Sequence, residues 1–327
     1  MIQSYQEIGT TGDGTLRYVA LCRDKNVGGK YYYPVGGSYV GLIGAIMSDG
    51  KGKVIGKKGQ ELTITPADRK KTGTTIKWRP DLEVFTDIDI PEEFFKDILH
   101  RQAVVNAGVT FRFRNQNGNK FDVTEYVYEN GILDYVNEIA HESPLTSPYF
   151  ISAERRGRDR ADKPEYKVKL SAAFCFSNKV KAIEYYHNSS WLEYGGAPEK
   201  AARSAFVYAI DAYIKKIGKY QKTESKINFQ DVADCLVLVT NCFSTQTSYE
   251  NQTKKAITNR FIQEAMTDFF KEKLEVYFIE NKPEADKIAE QVLVNKRSRE
   301  AAEKTRQGMK KKLSGSIDIA NRVQEIR

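Results

Sequence analysis

Histidine and cysteine are scarce in this 327-residue chain. Three histidines (His100, His141, His187) and four cysteines (Cys22, Cys175, Cys235, Cys242) are scattered, with no Cys-x-x-Cys pair and no histidine at ligand spacing from a cysteine. That spacing argues against a zinc site. Three of the cysteines have apolar or small neighbours, which suits reduced thiols in a reducing compartment. No apolar run approaches the roughly 20 residues that cross a bilayer. The first residues, Met-Ile-Gln-Ser-Tyr-Gln-Glu, have neither the basic start nor the apolar stretch of a signal peptide. A soluble, cytoplasmic protein without a membrane partner is expected. Common nucleotide and hydrolase motifs are missing too. Gly50-x-Gly52 is followed by Ile55 where a dinucleotide fingerprint needs glycine, no phosphate loop of the Gly-x-x-x-x-Gly-Lys-Ser/Thr type exists, and Gly36-Gly37-Ser38-Tyr39-Val40 lacks the second glycine of a nucleophile elbow.

What is present is enough to fold. Hydrophobic residues make up 40% and aromatics 11%, so ordinary cores form, and at about 100–200 residues per domain the length suits two domains or three. The net charge is +8, and it is uneven. Between Asp286 and Lys312 nine basic residues face four acidic ones, a local balance of +5, which points to a polyanionic partner.

Thirteen of the 23 glycines lie in the first sixty residues, between short apolar pieces such as Leu16 to Cys22 and Tyr31 to Val35, a pattern of hairpins or loops. A strand is expected over Thr72 to Asp81, and a helix from Pro91-Glu92-Glu93 to about Asn106. Two strands follow, Val109 to Arg114 and Phe121 to Tyr128, and then a helix from Ile132 to Ala140. Arg155 to Lys163 reads as a charged loop. Tyr166, Val168, Leu170, Ala172, Phe174 and Phe176 alternate strictly, the clearest strand signal in the chain. A strand from Val180 to His187, a helix after Gly195-Gly196-Ala197-Pro198, a buried strand from Leu236 to Phe243 and a long helical region from about Lys255, interrupted near Pro283, complete an α+β order.

Two clusters could carry chemistry. Asp87 and Asp89 could hold a divalent metal or simply supply negative charge at a helix entry. Gln252-Thr253-Lys254-Lys255 is expected to open the long helix, where two lysines oppose the macrodipole. Either they are a solvated pair, or they and the free N–H groups of the helix end receive a phosphate.

Several segments carry a family resemblance. Thr72-Gly73-Thr74-Thr75-Ile76-Lys77-Trp78-Arg79-Pro80-Asp81 with Phe85-Thr86-Asp87 resembles the end of the ATPase domain of bacterial DNA gyrase B subunits. Val105-Asn106-Ala107-Gly108-Val109 is similar to the family's segment before the next strand. Tyr249-Glu250-Asn251-Gln252-Thr253-Lys254 is similar to its loop ending in Gln-Thr-Lys, and Lys296-Arg297-Ser298-Arg299-Glu300-Ala301-Ala302 resembles its long exit helix. The motifs keep the family's order over about three quarters of the chain. Gly29-Lys30 to Gly44 faintly resembles the glycines of the family's ATP lid. Departures are as clear: no Asn-bearing metal helix and no Asp-x-Gly-x-Gly turn are present, and Gly195-Gly196-Ala197-Pro198 stands where many relatives have Gly-Gly-Thr-His.

The resemblance implies a ribosomal-protein domain 2-like transducer with a left-handed β-α-β crossover, over residues 81–283. A remnant of the GHKL ATPase sheet (1–80) would precede it and a basic exit helix (284–327) would follow, leading toward the family's acidic metal-binding domain. It implies part of an ATP-dependent type II DNA topoisomerase that couples ATP binding to gate closure and strand passage. Gln252 and Lys254 would contact the γ-phosphate as catalytic and nucleotide-binding residues, and Thr74 would hold adenine through water. Lys296, Arg297, Arg299, Lys304, Arg306, Lys310, Lys311 and Lys312 would face DNA. ATP and Mg2+ would serve the complete enzyme, with neither bound by this chain alone, which should be catalytically silent. Double-stranded DNA, a gyrase A-like cleaving subunit and a second B-type subunit would be its partners. Two alternatives stand beside this reading: a MutL-like or heat-shock-chaperone-like ATPase machine, and a non-enzymatic basic nucleic-acid-binding protein.

Overall fold

The computed structural model describes residues 89–141 and 144–325. Before them it describes 74–76, 83, 86, 87 and six short strands, of which only the backbone is considered; likewise only the backbone of 312–325 is considered. The chain divides into two compact units, 1–90 and 91–327.

In the first unit the strands pair antiparallel two by two: β1 (Glu7–Thr10) with β2 (Leu16–Tyr18), β3 (Cys22–Arg23) with β4 (Tyr31–Tyr32), and β5 (Met47–Ser48) with β6 (Val54–Ile55). This is the hairpin organisation that the glycine spacing suggests. Residues 74–76 belong to no strand; the remainder of the expected strand from Thr72 to Asp81, and the lid-like glycines from Gly29 to Gly44, lie outside the described residues.

The second unit opens with α1 (Glu92–Val105), where Pro91 precedes two acids in the first turn. Next come the hairpin β7 (Phe111–Asn117) and β8 (Lys120–Tyr126), turning at Gly118, and α2 (Ile132–Ala140). A five-stranded sheet follows, built from β9 (Tyr149–Gly157), β10 (Tyr166–Phe176), β11 (Ala182–His187), β12 (Ser190–Trp191) and β13 (Leu236–Ser244), in the order β12-β11-β13-β10-β9. All its pairs are antiparallel except β11 with β13. That parallel pair is bridged by α3 (Ala197–Lys216) and α4 (Phe229–Ala233). Two helices end the fold, α5 (Arg260–Glu280) and α6 (Lys282–Glu325). Pro283 sits in the first turn of α6, where its missing N–H costs nothing.

Strand alternation builds two cores. Val168, Leu170, Ala172, Phe174 and Phe176 of β10, with Leu236 and Leu238 of β13, pack against Phe206 and Ile210 of α3 and Phe269 and Phe270 of α5. Ala173, Cys175, Val237 and Val239 point the other way, onto Val104 and Val105 of α1 and Val136 of α2. Each fully buried Val, Leu, Ile or Phe among them contributes about 1.5–3 kcal/mol. Toward Tyr166 the second face is uncovered and Lys167 and Lys169 are exposed, which is why the alternation there reads so cleanly. The loop expected at Arg155 is partly strand, since β9 runs to Gly157.

Candidate functional site

The Gln-Thr-Lys segment does not open a helix. It forms the tip of an arm between β13 and α5, and α5 starts only at Arg260. The capping groups explain this. Asn259, at the cap position, turns its side chain away to accept from Ser248 N at 2.7 Å. Asp159 takes over, accepting from Phe261 N at 2.9 Å and from Asn259 Nδ2 at 2.9 Å. A carboxylate at that helix end also suits the macrodipole. Neither Lys254 nor Lys255 therefore opposes a helix dipole.

The arm is a narrow hairpin. Thr258 N donates to Ser248 O at 2.8 Å and Glu250 N to Ala256 O at 3.0 Å, with Tyr249 bridged to Ile257. At the tip, Asn251 Oδ1 accepts from Thr253 N at 3.1 Å and Asn251 O from Lys254 N at 3.2 Å. This turn places Lys254 at φ 59, a left-handed conformation that a residue with a Cβ adopts at a cost of roughly 1–2 kcal/mol. Gln252, Thr253 and Lys254 are exposed.

The two adjacent lysines have different surroundings. Lys255 is ion-paired with Glu193, whose carboxylate raises its pKa, and its ammonium lies over the Tyr194 ring. Lys254 lies 5.6 Å above the Tyr249 ring and forms no ion pair among the described residues. One lysine fastens the arm, and the other is presented at its tip beside the Gln252 amide.

The arm docks on the start of α3. Tyr194 N donates to Lys255 O at 2.9 Å and Ala197 N to Ile257 O at 2.8 Å. Gly196, at φ 83, comes so close that a Cβ there would lie 2.3 Å from Ile257 O. Glycine at this position is thus needed for both torsion and space. At the arm's foot, His187 lies within hydrogen-bond distance of Thr247 Oγ1, 2.9 Å away. Sequence reasoning missed His187, Glu193 and Asp159. The one legible signal was the Gly195-Gly196 pair, which marks a close backbone approach.

The described part of α6 splits the basic residues expected to face DNA. Lys296 is fully buried, 3.2 Å from Glu224 and 3.0 Å from Glu300, so it is not a DNA-facing residue in this structure. Arg297 also binds Glu224, and Arg299 is forked onto Asp231 at 2.6 and 3.1 Å. These two fasten α6 to the 218–231 segment. Lys304, Arg306, Lys310 and Lys311 are exposed, with Arg306 beside Glu303. The Lys312 side chain lies outside the described set. The helix continues through Gly308.

Thr74, in the first unit, is exposed. Asp87 accepts from Asp89 N at 2.8 Å, a local turn rather than a cap. Among the described residues no cluster of three histidine, cysteine or acidic side chains could hold a metal, and no helix is long and apolar enough to cross a membrane.

Residues 131–308 match the family model of DNA gyrase B, more than half of the chain. The chain belongs to the DNA gyrase B family. It is 27% identical over 245 residues to the DNA gyrase B protein of Mycoplasmoides gallisepticum, covering 74% of this chain and 38% of that protein. With the Campylobacter jejuni gyrase B protein it shares 26% over 267 residues, 82% of this chain and 33% of that one. The chain thus spans less than half the length of these curated relatives. Its fold is similar to the 43K ATPase domain of Thermus thermophilus gyrase B, solved with an aminocoumarin, with a TM-score of 0.63 and 22% identity over 91% of this chain and 84% of that one. It is also similar to the topoisomerase IV ATP-binding domain of Francisella tularensis, with a TM-score of 0.59 and 21% identity over 90% and 81%.

Proposed function

We propose that this chain is the transducer-bearing part of a gyrase B-type subunit, and that its arm carries Gln252 and Lys254 to the γ-phosphate of ATP. The observation behind this reading is the contrast between the two lysines. Lys255 is spent on Glu193, while Lys254 and Gln252 stand exposed on a braced tip, one cation and one amide donor, and among the described residues no carboxylate pairs with the cation. Such a pair fits the terminal phosphate of a nucleotide, to which Lys254 would donate a charge-assisted hydrogen bond. Thr74 would take the adenine end through water. Bound ATP with Mg2+ would supply the phosphoryl chemistry.

On this reading residues 1–80 are a remnant of the ATPase sheet, 81–283 the transducer and 284–327 the exit helix, and the β11-α3-β13 connection is the left-handed crossover of a ribosomal-protein domain 2-like fold. Contact of the arm with nucleotide would drive closure of a dimer of B-type subunits, in a cytoplasmic type II topoisomerase working with a gyrase A-like subunit on double-stranded DNA. Lys304, Arg306, Lys310, Lys311 and Lys312 remain the proposed DNA-facing set. The family match favours this over a MutL-like or chaperone-like machine, and a non-enzymatic scaffold is separated from it by experiment. Placed in a complete subunit, Lys254→Ala should cut ATP turnover at least tenfold; unchanged turnover would leave the arm without its proposed role.

A further inference from the structure

The foot of the arm rests on a histidine whose two ring nitrogens face different parts of the structure. His187 ends β11 and is fully buried. Its Nδ1 lies 2.9 Å from Cys242 Sγ on β13, and its Nε2 lies 2.9 Å from Thr247 Oγ1 and 3.3 Å from Ser244 Oγ, both on the way into the arm. One side chain therefore spans the sheet and the arm. Asn188 reinforces the grip: its Nδ2 donates to Ser244 O at 3.0 Å and to Thr247 Oγ1 at 3.2 Å, and its Oδ1 accepts from Ser244 N at 3.0 Å. Asn188 and Ser189 adopt left-handed torsions, φ 47 and 61, a strain that persists only where the surroundings over-determine it.

The path continues to the tip. Tyr249, two residues beyond Thr247, sets its ring edge-on to His187 at 6.5 Å, and the Lys254 ammonium lies over that same ring. We propose that His187 is a positioning residue: by holding Thr247 from the end of β11 it fixes the direction in which the arm projects Gln252 and Lys254. This rests on the reading of those two residues given above.

The Cys242 thiol donates to Tyr186 O, which leaves its sulfur to accept from Nδ1–H while Nε2 accepts from the Thr247 hydroxyl, the pairing of a neutral ring. Burial lowers the His187 pKa to about 4. Among the described residues the titratable groups facing it are Cys242 on β13 and Tyr249 on the arm, and burial raises both of their pKa values, which keeps them neutral as well.

The test is amide hydrogen exchange on the full chain, comparing Glu250, Lys254 and Thr258 in the arm with the amides of the β10–β13 ladder. Thr247→Val, which removes the hydroxyl and keeps the shape, should lower protection in the arm at least tenfold and leave the ladder unchanged, while Thr247→Ser restores it. In the unsubstituted chain, lowering the pH from 7 to 5 should lower arm protection by about tenfold or more, after correction for intrinsic rates, before the ladder responds. Arm protection unmoved by Thr247→Val, or lost equally in arm and ladder, would overturn the proposal. Turnover of a complete subunit separates the two ideas. If the exchange pattern holds but neither Thr247→Val nor Lys254→Ala alters turnover, the anchor stands and the phosphate role falls.

Discussion

Lys296 Nζ and Glu224 Oε1 form a buried ion pair, 3.2 Å apart, between α6 and the segment that follows α3. Glu300 closes the other side of the ammonium and is itself held by Ser225 Oγ at 2.8 Å. Desolvating two charges is costly, so the pair is a stronger statement about where α6 must lie than about net stability. Glu224→Ala, which leaves the buried Lys296 with Glu300 as its one carboxylate partner, should destabilise the chain by up to about 3 kcal/mol in urea denaturation, whereas Glu224→Leu combined with Lys296→Met should recover most of that loss. Equal losses from the single and the double change would show that packing, not the pairing of charges, decides how α6 is held here.

The same carboxylate sets an acid limb of stability. Hydrogen bonds from Arg297, then the amide of Gln221 and Lys296, lower the Glu224 pKa from 4.5 to about 2. A depressed carboxylate contributes fully above its unfolded value, and the contribution is lost as pH falls from about 4.5 toward 2, at about 1.4 kcal/mol per pH unit. His187, held neutral in the fold, adds an earlier loss between about 6.5 and 4, because the unfolded chain takes up its proton first. Stability measured by urea titration at successive pH values should therefore be flat above neutrality with respect to these two groups and fall in two stages below it. Glu224→Gln should flatten the lower stage.

Lys254 and Lys255 should separate functionally. In a complete subunit Lys254→Ala removes the cation at the tip and should cut ATP turnover at least tenfold, since a charge-assisted hydrogen bond is worth about 1.5–3 kcal/mol. Lys255→Ala releases the Glu193 pair and the Tyr194 ring contact, both near the surface, while the backbone bonds to Lys255 O and Ile257 O still hold the arm, and should do little to turnover. Similar turnover losses for both substitutions would mean that the arm's shape, rather than the ammonium at its tip, is what matters.

DNA binding should depend on the outer part of α6. If Lys304, Arg306, Lys310 and Lys311 neutralise phosphates, changing all four to Ala should flatten the dependence of affinity on salt, by about 0.9 log–log units for each phosphate no longer neutralised, and weaken unrelated duplexes alike. Arg299→Ala, which breaks a fork to Asp231 inside the chain, should leave the salt slope where it was. Filter binding or fluorescence anisotropy across a salt series reads both slopes.

Gly196→Ala should act on the arm through α3. The new Cβ meets the Ile257 backbone and the residue is held at φ 83, so a loss of more than about 1–2 kcal/mol is expected from the torsion alone. Limited proteolysis should then show new cleavage between 248 and 258 ahead of cleavage in the helices. Wild-type resistance there would place the strain elsewhere.

What the sequence made legible follows from how local its causes are. The alternation in β10 and the apolar run of β13 are written in consecutive residues, as are the acids that open α1, and the observed elements start and stop close to the expected positions. The start of α5 was not legible, because its cap is Asp159, a hundred residues upstream in a stretch that reads as a charged loop. Lys296 looked like its basic neighbours for the same reason: the acids that bury it come partly from the 218–231 segment. The Gln-Thr-Lys tip was legible as a motif, while the difference between Lys254 and Lys255 depends on Glu193, which only the folded chain brings near.

β13 is the last strand of its sheet to appear in the chain, yet it lies between β11 and β10. Until it is made, β10 with β9 and β11 with β12 are two separate ribbons, each presenting an unpaired edge and an apolar face. Unpaired edges are where chains join wrongly to one another. Synthesis must therefore run through α3 and α4, about fifty residues of helix and connection, before the strand that closes both edges exists. A chain cut short before Leu236 would not be a smaller version of this fold but a pair of sticky half-sheets, and a helper that shields those edges would matter most during that interval.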